Sequence, residues 1–86
     1  MGQIPVVRPG VRVRQEQFGA LVFTNRTPIL SLNTDSYLIW SAIDGHRSIE
    51  DICKFLQNQN TDIDISLATV QEFIHVCDEL SLVELN

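Results

Sequence analysis

The sequence predicts an α+β domain in which a three-stranded antiparallel sheet is followed by three helices. Short apolar runs separated by turn residues fill the first third of the chain, as in a β-meander. Two helix N-cap signals then follow closely, Asn33 before one apolar segment and Ser48 before the next. The chain has 86 residues, of which 44% are hydrophobic, which is enough for one domain with a modest core.

The predicted sheet follows an extended N-terminal lead-in, residues 1–10, which contains two prolines and two glycines. Residues 11–16 alternate apolar and polar side chains, the period of a half-buried strand. Residues 20–24 are a short β-rich run, and residues 29–32 follow a turn that ends at Pro28, where a missing N–H is tolerated. We therefore expect a single domain over residues 11–86 that opens with a meander.

The first two helices have clear boundaries in the sequence. Asn33 caps the first helix, which is predicted to run to residue 43, and Gly45 supplies the left-handed residue that ends it. Ser48 and Asp51 form a capping box at the start of the second helix. Residues 58–62 are predicted to form a polar loop after it. This order of strand, cap and helices resembles a winged helix-turn-helix module.

The third predicted helix, residues 66–80, carries two apolar stripes, and one is enough to pack a surface helix on a small core. The first stripe is Leu67, Val70, Ile74 and Cys77. The second, which we call the outer stripe, is Thr69, Phe73, Val76 and Leu80. The outer stripe indicates either a helix buried on a wide face or an apolar groove. After this helix, residues 82–85 form either a small strand or packed coil.

Catalytic and metal chemistry have little support in the sequence. CxxC, HExxH and GxSxG motifs and a glycine-rich phosphate loop are absent. His75 and Cys77 are two apart on a helix, so they face different directions, while His46 and Arg47 are expected to be a solvated loop pair. Cys53, like Cys77, is expected to be a buried reduced thiol. We therefore expect a protein that is not an enzyme, with no catalytic residue, cofactor or metal.

Membrane and secretory roles are also unsupported. No apolar run approaches the ~20 residues of a transmembrane helix, and the N-terminus lacks the basic start and apolar core of a secretory signal. We expect a cytoplasmic location and no membrane partner.

The charge distribution argues against nucleic acid as a partner. The net charge is −5, and all six basic residues precede position 55. A winged-helix DNA binder needs Lys or Arg on its recognition helix, and the third helix has neither. We expect no nucleic-acid partner, although a winged-helix DNA-binding regulator remains an alternative.

A peptide partner fits the pattern better. The third predicted strand, residues 29–32, is an edge if the sheet order is sequential, and an exposed edge offers unpaired N–H and C=O groups. The outer stripe beside it can supply pockets, as in recognition by strand addition. The same edge could pair with a second copy, so we expect a monomer or an edge-paired homodimer. A structural adaptor subunit without a groove is a further alternative, and it predicts that Phe73 and Val76 are buried in the core.

Several segments, in this order and spacing, resemble the PqqD-like family of precursor-peptide recognition elements: residues 8–11, 18–23, 30–33, 39–40, 43–45 and 48–52. The resemblance covers residues 5–85. Residues 18–21 also resemble the mycofactocin peptide chaperone, a branch of the same group.

The resemblance implies a non-catalytic peptide chaperone without a cofactor. It would bind the leader of a ribosomally made precursor peptide as an added strand and present it to a modifying enzyme, commonly a radical SAM enzyme. The implied peptide-binding residues are Ile29, Leu30, Ser31 and Leu32 on the strand, with Thr69, Phe73, Val76 and Leu80 on the helix.

The chain departs from the family pattern at two points. Ser81 stands where the family often has a glycine after the last helix. The third helix also lacks the Lys or Arg that some relatives use for acidic leaders, so affinity should depend on apolar contacts and backbone pairing.

Overall fold

The computed structural model of the protein describes residues 2–59 and 65–86. Its elements are β1 Pro5–Val7, β2 Arg12–Glu16, β3 Gly19–Phe23, β4 Leu30–Asn33, α1 Thr34–Ser41, α2 Ile49–Gln59, α3 Leu67–Glu79 and β5 Val83–Leu85. The predicted α+β class is confirmed, because β2, β3 and β4 form a three-stranded antiparallel sheet that is followed by three helices.

The register of the sheet decides which side chains reach the core. Ala20 lies opposite Leu32, and Val22 lies opposite Leu30. Ala20, Val22 and Leu32 are almost completely buried, and Leu30 is half-buried and packed against the core. Because side chains alternate along a strand, the neighbouring Ser31 points to the opposite face of the sheet, where it is exposed.

The N-terminal lead-in contains a strand that the sequence analysis missed. β1 pairs antiparallel with β5, with Pro5 opposite Leu85 and Val7 opposite Val83. The pairing continues beyond both strands, where Ile4 and Asn86 exchange two backbone hydrogen bonds of 2.9 and 3.0 Å. Of the two alternatives for residues 82–85, the structure therefore contains the strand.

The predicted helix caps are present. The Asn33 side chain accepts a hydrogen bond from the backbone N–H of Ser36 at 2.8 Å. At α2, the backbone N–H of Asp51 donates to Ser48 Oγ at 3.1 Å, and the backbone N–H of Ser48 donates to Asp51 Oδ2 at 3.4 Å. These bonds satisfy N–H groups that have no partner within the first turn of each helix.

Two predicted boundaries were wrong. α1 ends at Ser41 rather than at residue 43, so Gly45, with φ of 81°, lies in the loop beyond the helix. The first two residues of the predicted loop at 58–62 belong to α2, which ends at Gln59. Residues 60–62 of that predicted loop lie outside the described residues.

Arg47 explains where α1 ends, and its assignment as a solvated residue was wrong. Its Nη1 donates to the carbonyl of Ala42 at 3.0 Å, at the C-terminal end of α1. The same guanidinium lies 3.7 Å from the centre of the Phe55 ring on α2 and 3.4 Å from Asp44 Oδ2. Arg47 therefore connects α1, the loop and α2.

Asp44 shapes the loop between α1 and α2. Its Oδ1 accepts hydrogen bonds from the backbone N–H groups of Arg47 and His46, at 2.8 and 2.9 Å. Because these bonds stabilise the carboxylate, they lower the pKa of Asp44 below its usual value.

One hydrophobic core lies between the sheet and the helices. Its buried members are Ala20, Val22, Leu32, Ile39, Trp40, Ala42, Ile49, Ile52, Cys53, Leu56, Ile65, Val70, Ile74, Cys77, Leu82 and Val83. Both cysteines are free and buried, as predicted. Burial raises the pKa of the Cys77 thiol to about 12.

The end of α3 has the hydrogen bonds of a Schellman motif. The backbone N–H of Ser81 donates to the carbonyl of Asp78 at 3.0 Å, and that of Leu82 donates to Cys77 at 2.9 Å. Ser81 has a φ of 61°, in the left-handed region that glycine adopts most easily. The motif is thus complete although a serine occupies the glycine position, and it places Leu82 and β5 against the core.

We expect Ser81→Gly to stabilise the protein by about 1 kcal/mol, because it removes the clash of Cβ in a left-handed residue. Urea unfolding monitored by circular dichroism measures this change. Ser41→Gly, in the last turn of α1, is the control and should destabilise, because its backbone is helical. A lower free energy of unfolding for Ser81→Gly would contradict the conclusion that Ser81 is strained.

We expect Cys77 to resist alkylation in the folded protein at neutral pH, because the thiolate is the reactive form and burial disfavours it. The unfolded thiol ionises from its ordinary pKa of 9.0, so folding stability should fall as pH rises from 9.0 toward about 12. Mass spectrometry after iodoacetamide treatment, with and without urea, measures the labelling. Equal labelling rates in both conditions would contradict the assignment.

Candidate functional site

β4 has an open edge. Its only hydrogen-bonded strand neighbour among the described residues is β3, so the backbone groups on its other side have no strand partner there. Ile29, predicted as part of the strand, lies one residue before it and is 63% exposed. Ser31 is also exposed, whereas Leu30 and Leu32 point toward the core. The available surface of this strand is therefore its backbone edge together with Ile29 and Ser31.

The first stripe of α3 holds the helix on the protein. Val70, Ile74 and Cys77 are fully buried, while Leu67, in the first turn, is 39% exposed. The helix packs mainly against α2, with further contacts to β5 and α1. Because three consecutive positions of this stripe are buried, the rotation of α3 about its axis is fixed.

The outer stripe of α3 remains at the surface. Thr69 is exposed and Val76 is 42% exposed, whereas Phe73 and Leu80 are half-buried against the edge of the core. The expectation that Phe73 and Val76 lie within the core, which belongs to the adaptor alternative, is therefore not met. In the outer stripe, Val76 is therefore at the surface, and Phe73 and Leu80 are partly exposed while they pack against the core.

A cavity of about 390 Å³ is lined by residues that lie close in the chain to β4 and to α3. Thr27, three residues before β4, and Ser81, two residues after α3, both line it. We call the β4 edge together with the outer stripe the candidate groove.

The electrostatics of α3 match the sequence analysis. The helix has no Lys or Arg, and its exposed positions include Glu72 and Glu79. His75 is exposed and Cys77 is buried, so they do not share a face. Within residues 2–59 and 65–86, no group of three His, Cys, Asp or Glu side chains is placed to hold a metal ion. Over the same range, no helix has both the length and the apolar character to cross a membrane.

Sequence reasoning missed the residues that surround the cavity. Arg8 was assigned to the lead-in and Arg26 to a turn, and two strands separate them in the chain. Only the pairing of β1 with β5 and the turn before β4 bring them to one place. Because the pairing of β1 with β5 is long-range, no local pattern in the sequence indicates this arrangement.

The chain is thus a small α+β module with an open strand edge and an exposed apolar stripe on its third helix. A family model described as "Coenzyme PQQ synthesis protein D (PqqD)" matches residues 20–83, which is more than half of the chain. The chain therefore belongs to the PqqD family, and the predicted resemblance is confirmed. No curated protein and no solved structure matched it.

Membership of this family supports a peptide-chaperone role. Family members are non-catalytic accessory proteins that bind precursor peptides and partner enzymes. The matched range includes β3, β4 and all three helices, and therefore both sides of the candidate groove. The mycofactocin branch stays a prediction.

We expect Gly19→Ala to destabilise the protein by about 1–3 kcal/mol and to disturb β4. Gly19 has a φ of 147°, and a Cβ there would overlap the carbonyl oxygen of Leu32 and approach Asn33. Thermal unfolding and the backbone amide NMR shifts of β4 measure these effects.

Gly10→Ala is the matched control for this substitution. Gly10 also has a positive φ, of 85°, but a Cβ there would meet no atom within 4 Å. Gly10→Ala should therefore lower the free energy of unfolding by about 1–2 kcal/mol, because alanine is strained in the left-handed conformation, and should leave the β4 amide shifts unchanged. Equal disturbance of β4 by both variants would show that contact with the β4 backbone is not the cause.

Proposed function

We propose that this chain is a non-catalytic peptide chaperone that binds the leader of a ribosomally made precursor peptide by strand addition to β4. It then presents the peptide to a modifying enzyme of the radical SAM class. The observation that carries the proposal is the open edge of β4, together with the exposed outer stripe of α3, in a chain that belongs to the PqqD family.

Backbone pairing supplies the first part of the proposed binding. In an antiparallel pair, alternate backbone groups of a strand point to one neighbour and the others point away from it. β3 forms hydrogen bonds with the backbone groups on one side of β4, and an incoming peptide would form them with the groups on the other side. This pairing depends little on the peptide's sequence, so it supplies affinity without selecting a partner.

Side-chain burial supplies the second part. Alternate residues of an added strand would face the same side of the sheet as Leu30 and Leu32, which pack in the same core as α3. There they would cover Val76 and the exposed parts of Phe73 and Leu80. Covering apolar surface stabilises a complex by about 25 cal/mol per Å² before the costs of association. Because α3 has no cation, apolar peptide residues are the ones that these positions favour.

The remaining features fit the same proposal. Both thiols are free and buried, as expected in a reducing cytoplasm. The exposed glutamates of α3 would repel the phosphates of DNA, which disfavours the DNA-binding regulator. An edge-paired homodimer would use the same β4 backbone groups as the peptide, so peptide binding would compete with self-association.

Val76→Glu is expected to weaken binding of the leader about tenfold or more, because it places a charge where apolar residues dock. The ligand is the synthetic leader of the precursor peptide encoded beside this chain's gene, and isothermal titration calorimetry measures its affinity. Val76 is a better position for this test than Leu30, because Leu30 packs against the core and its replacement by Lys would also affect folding.

His75→Glu is the matched control, since it adds the same carboxylate at the next exposed position, about 100° around the helix. It should bind the leader as the wild type does. Hydrogen exchange gives a second readout, because amides on the open edge of β4 should gain protection when the peptide pairs with them. Equal affinity of both variants, or unchanged β4 exchange, would contradict strand addition.

A further inference from the structure

The cavity at the end of the candidate groove has walls from three separate parts of the chain. The turn before β2, the turn before β4 and the residue after the α3 cap meet there. The lining residues are Arg8, Pro9, Gly10, Thr24, Asn25, Arg26, Thr27 and Ser81. Six of these eight residues have polar side chains, and two of them carry guanidinium groups.

The two arginines of the cavity have no acidic partner in the described part of the chain. The ion pairs there are Arg14 with Glu16 and Arg47 with Asp44, so neither Arg8 nor Arg26 has a carboxylate within 4.0 Å. The chain has only six basic residues and a net charge of −5. Two of these six thus lie at one cavity with no counter-ion among residues 2–59 and 65–86.

Other contacts hold the side chain of Arg8 and the backbone turn that carries Arg26. Arg8 Nε donates to the carbonyl of Val83 at 3.3 Å, which ties its guanidinium to β5. The turn that carries Arg26 is closed by Thr27 Oγ1, which accepts from the backbone N–H of Thr24 at 3.0 Å. The backbone N–H of Arg26 donates to Thr24 Oγ1 at 3.1 Å. An anion bound here would meet a partly preformed site.

The C-terminal end of α3 does not oppose an anion as strongly as a free helix end would. The negative end of a helix comes from carbonyl groups without partners. In this protein the carbonyls of Cys77 and Asp78 already accept bonds from Leu82 and Ser81.

We propose that this cavity binds the carboxylate of an Asp or Glu in the bound peptide, within about three residues of the segment that pairs with β4. The proposal rests on the proposed function. Thr27 lies three residues before β4 and Ser81 two residues after α3, so a peptide paired with β4 would have this cavity near one end. Guanidinium groups bind carboxylates through paired N–H donors, and such charge-assisted bonds are stronger than neutral ones.

A displayed library of short random peptides, selected on the full chain, tests the proposal without a known ligand. We expect selected peptides to share alternating apolar residues and, at a fixed distance beyond them, an Asp or Glu. Arg26→Gln should weaken a selected peptide about tenfold, and amide replacement of the peptide's acid should abolish that difference. Arg8→Gln should act in the same direction, with thermal unfolding as a check because it also loses the bond to Val83.

Arg12→Gln is the control, because Arg12 is exposed on β2, lies outside the cavity and also has no carboxylate within 4.0 Å. The cavity proposal is wrong if selected peptides depend on Val76 but have no Asp or Glu at a fixed position. It is also wrong if Arg26→Gln binds them with the same affinity as Arg12→Gln. In both cases the proposed peptide binding at the candidate groove is retained. If no peptide that depends on Val76 is selected, the proposed function fails and the cavity proposal fails with it.

Discussion

The burial of one stripe of α3 is the constraint on which the rest of the site depends. Val70, Ile74 and Cys77 are withdrawn from solvent, and a helix with three buried positions on one stripe cannot rotate without exposing them. The position of the outer stripe follows from this, since Val76 lies about 100° from Cys77 around the helix. The apolar surface beside β4 is therefore a consequence of how the core is filled.

Local patterns in the sequence were sufficient to predict most of the fold and to select the residues proposed for the candidate groove. Alternation of side chains indicated β2, and cap residues such as Asn33 and Ser48 indicated the helix starts, because each of these effects acts within a few residues. The two stripes of α3 could be recognised from their spacing, but periodicity alone could not say which stripe is buried. That distinction needs the positions of α2 and β5, which pack on the helix.

The features that sequence reasoning missed are a long-range strand pairing, a side-chain contact of a loop residue and the boundary of a strand. β1 has only three residues, too few for a period to be visible, and its partner β5 lies at the other end of the chain. Arg47 binds the carbonyl of Ala42 at the end of α1, and a charged loop residue gives no sign of that contact in advance. Ile29 was placed inside a strand that begins one residue later, which is the usual uncertainty of an element boundary.

The shortness of β4 has a consequence for how a peptide would be aligned. An edge of four residues offers few backbone bonds, and a paired strand that slides by two residues keeps the same side chains on the same faces. Pairing with β4 alone therefore leaves several alignments of nearly equal energy. A charged contact at one end of the groove would remove this degeneracy, because only one alignment would bring an acidic residue to Arg8 and Arg26. The cavity would then determine which segment of the peptide is bound to this protein and which segment extends toward an enzyme.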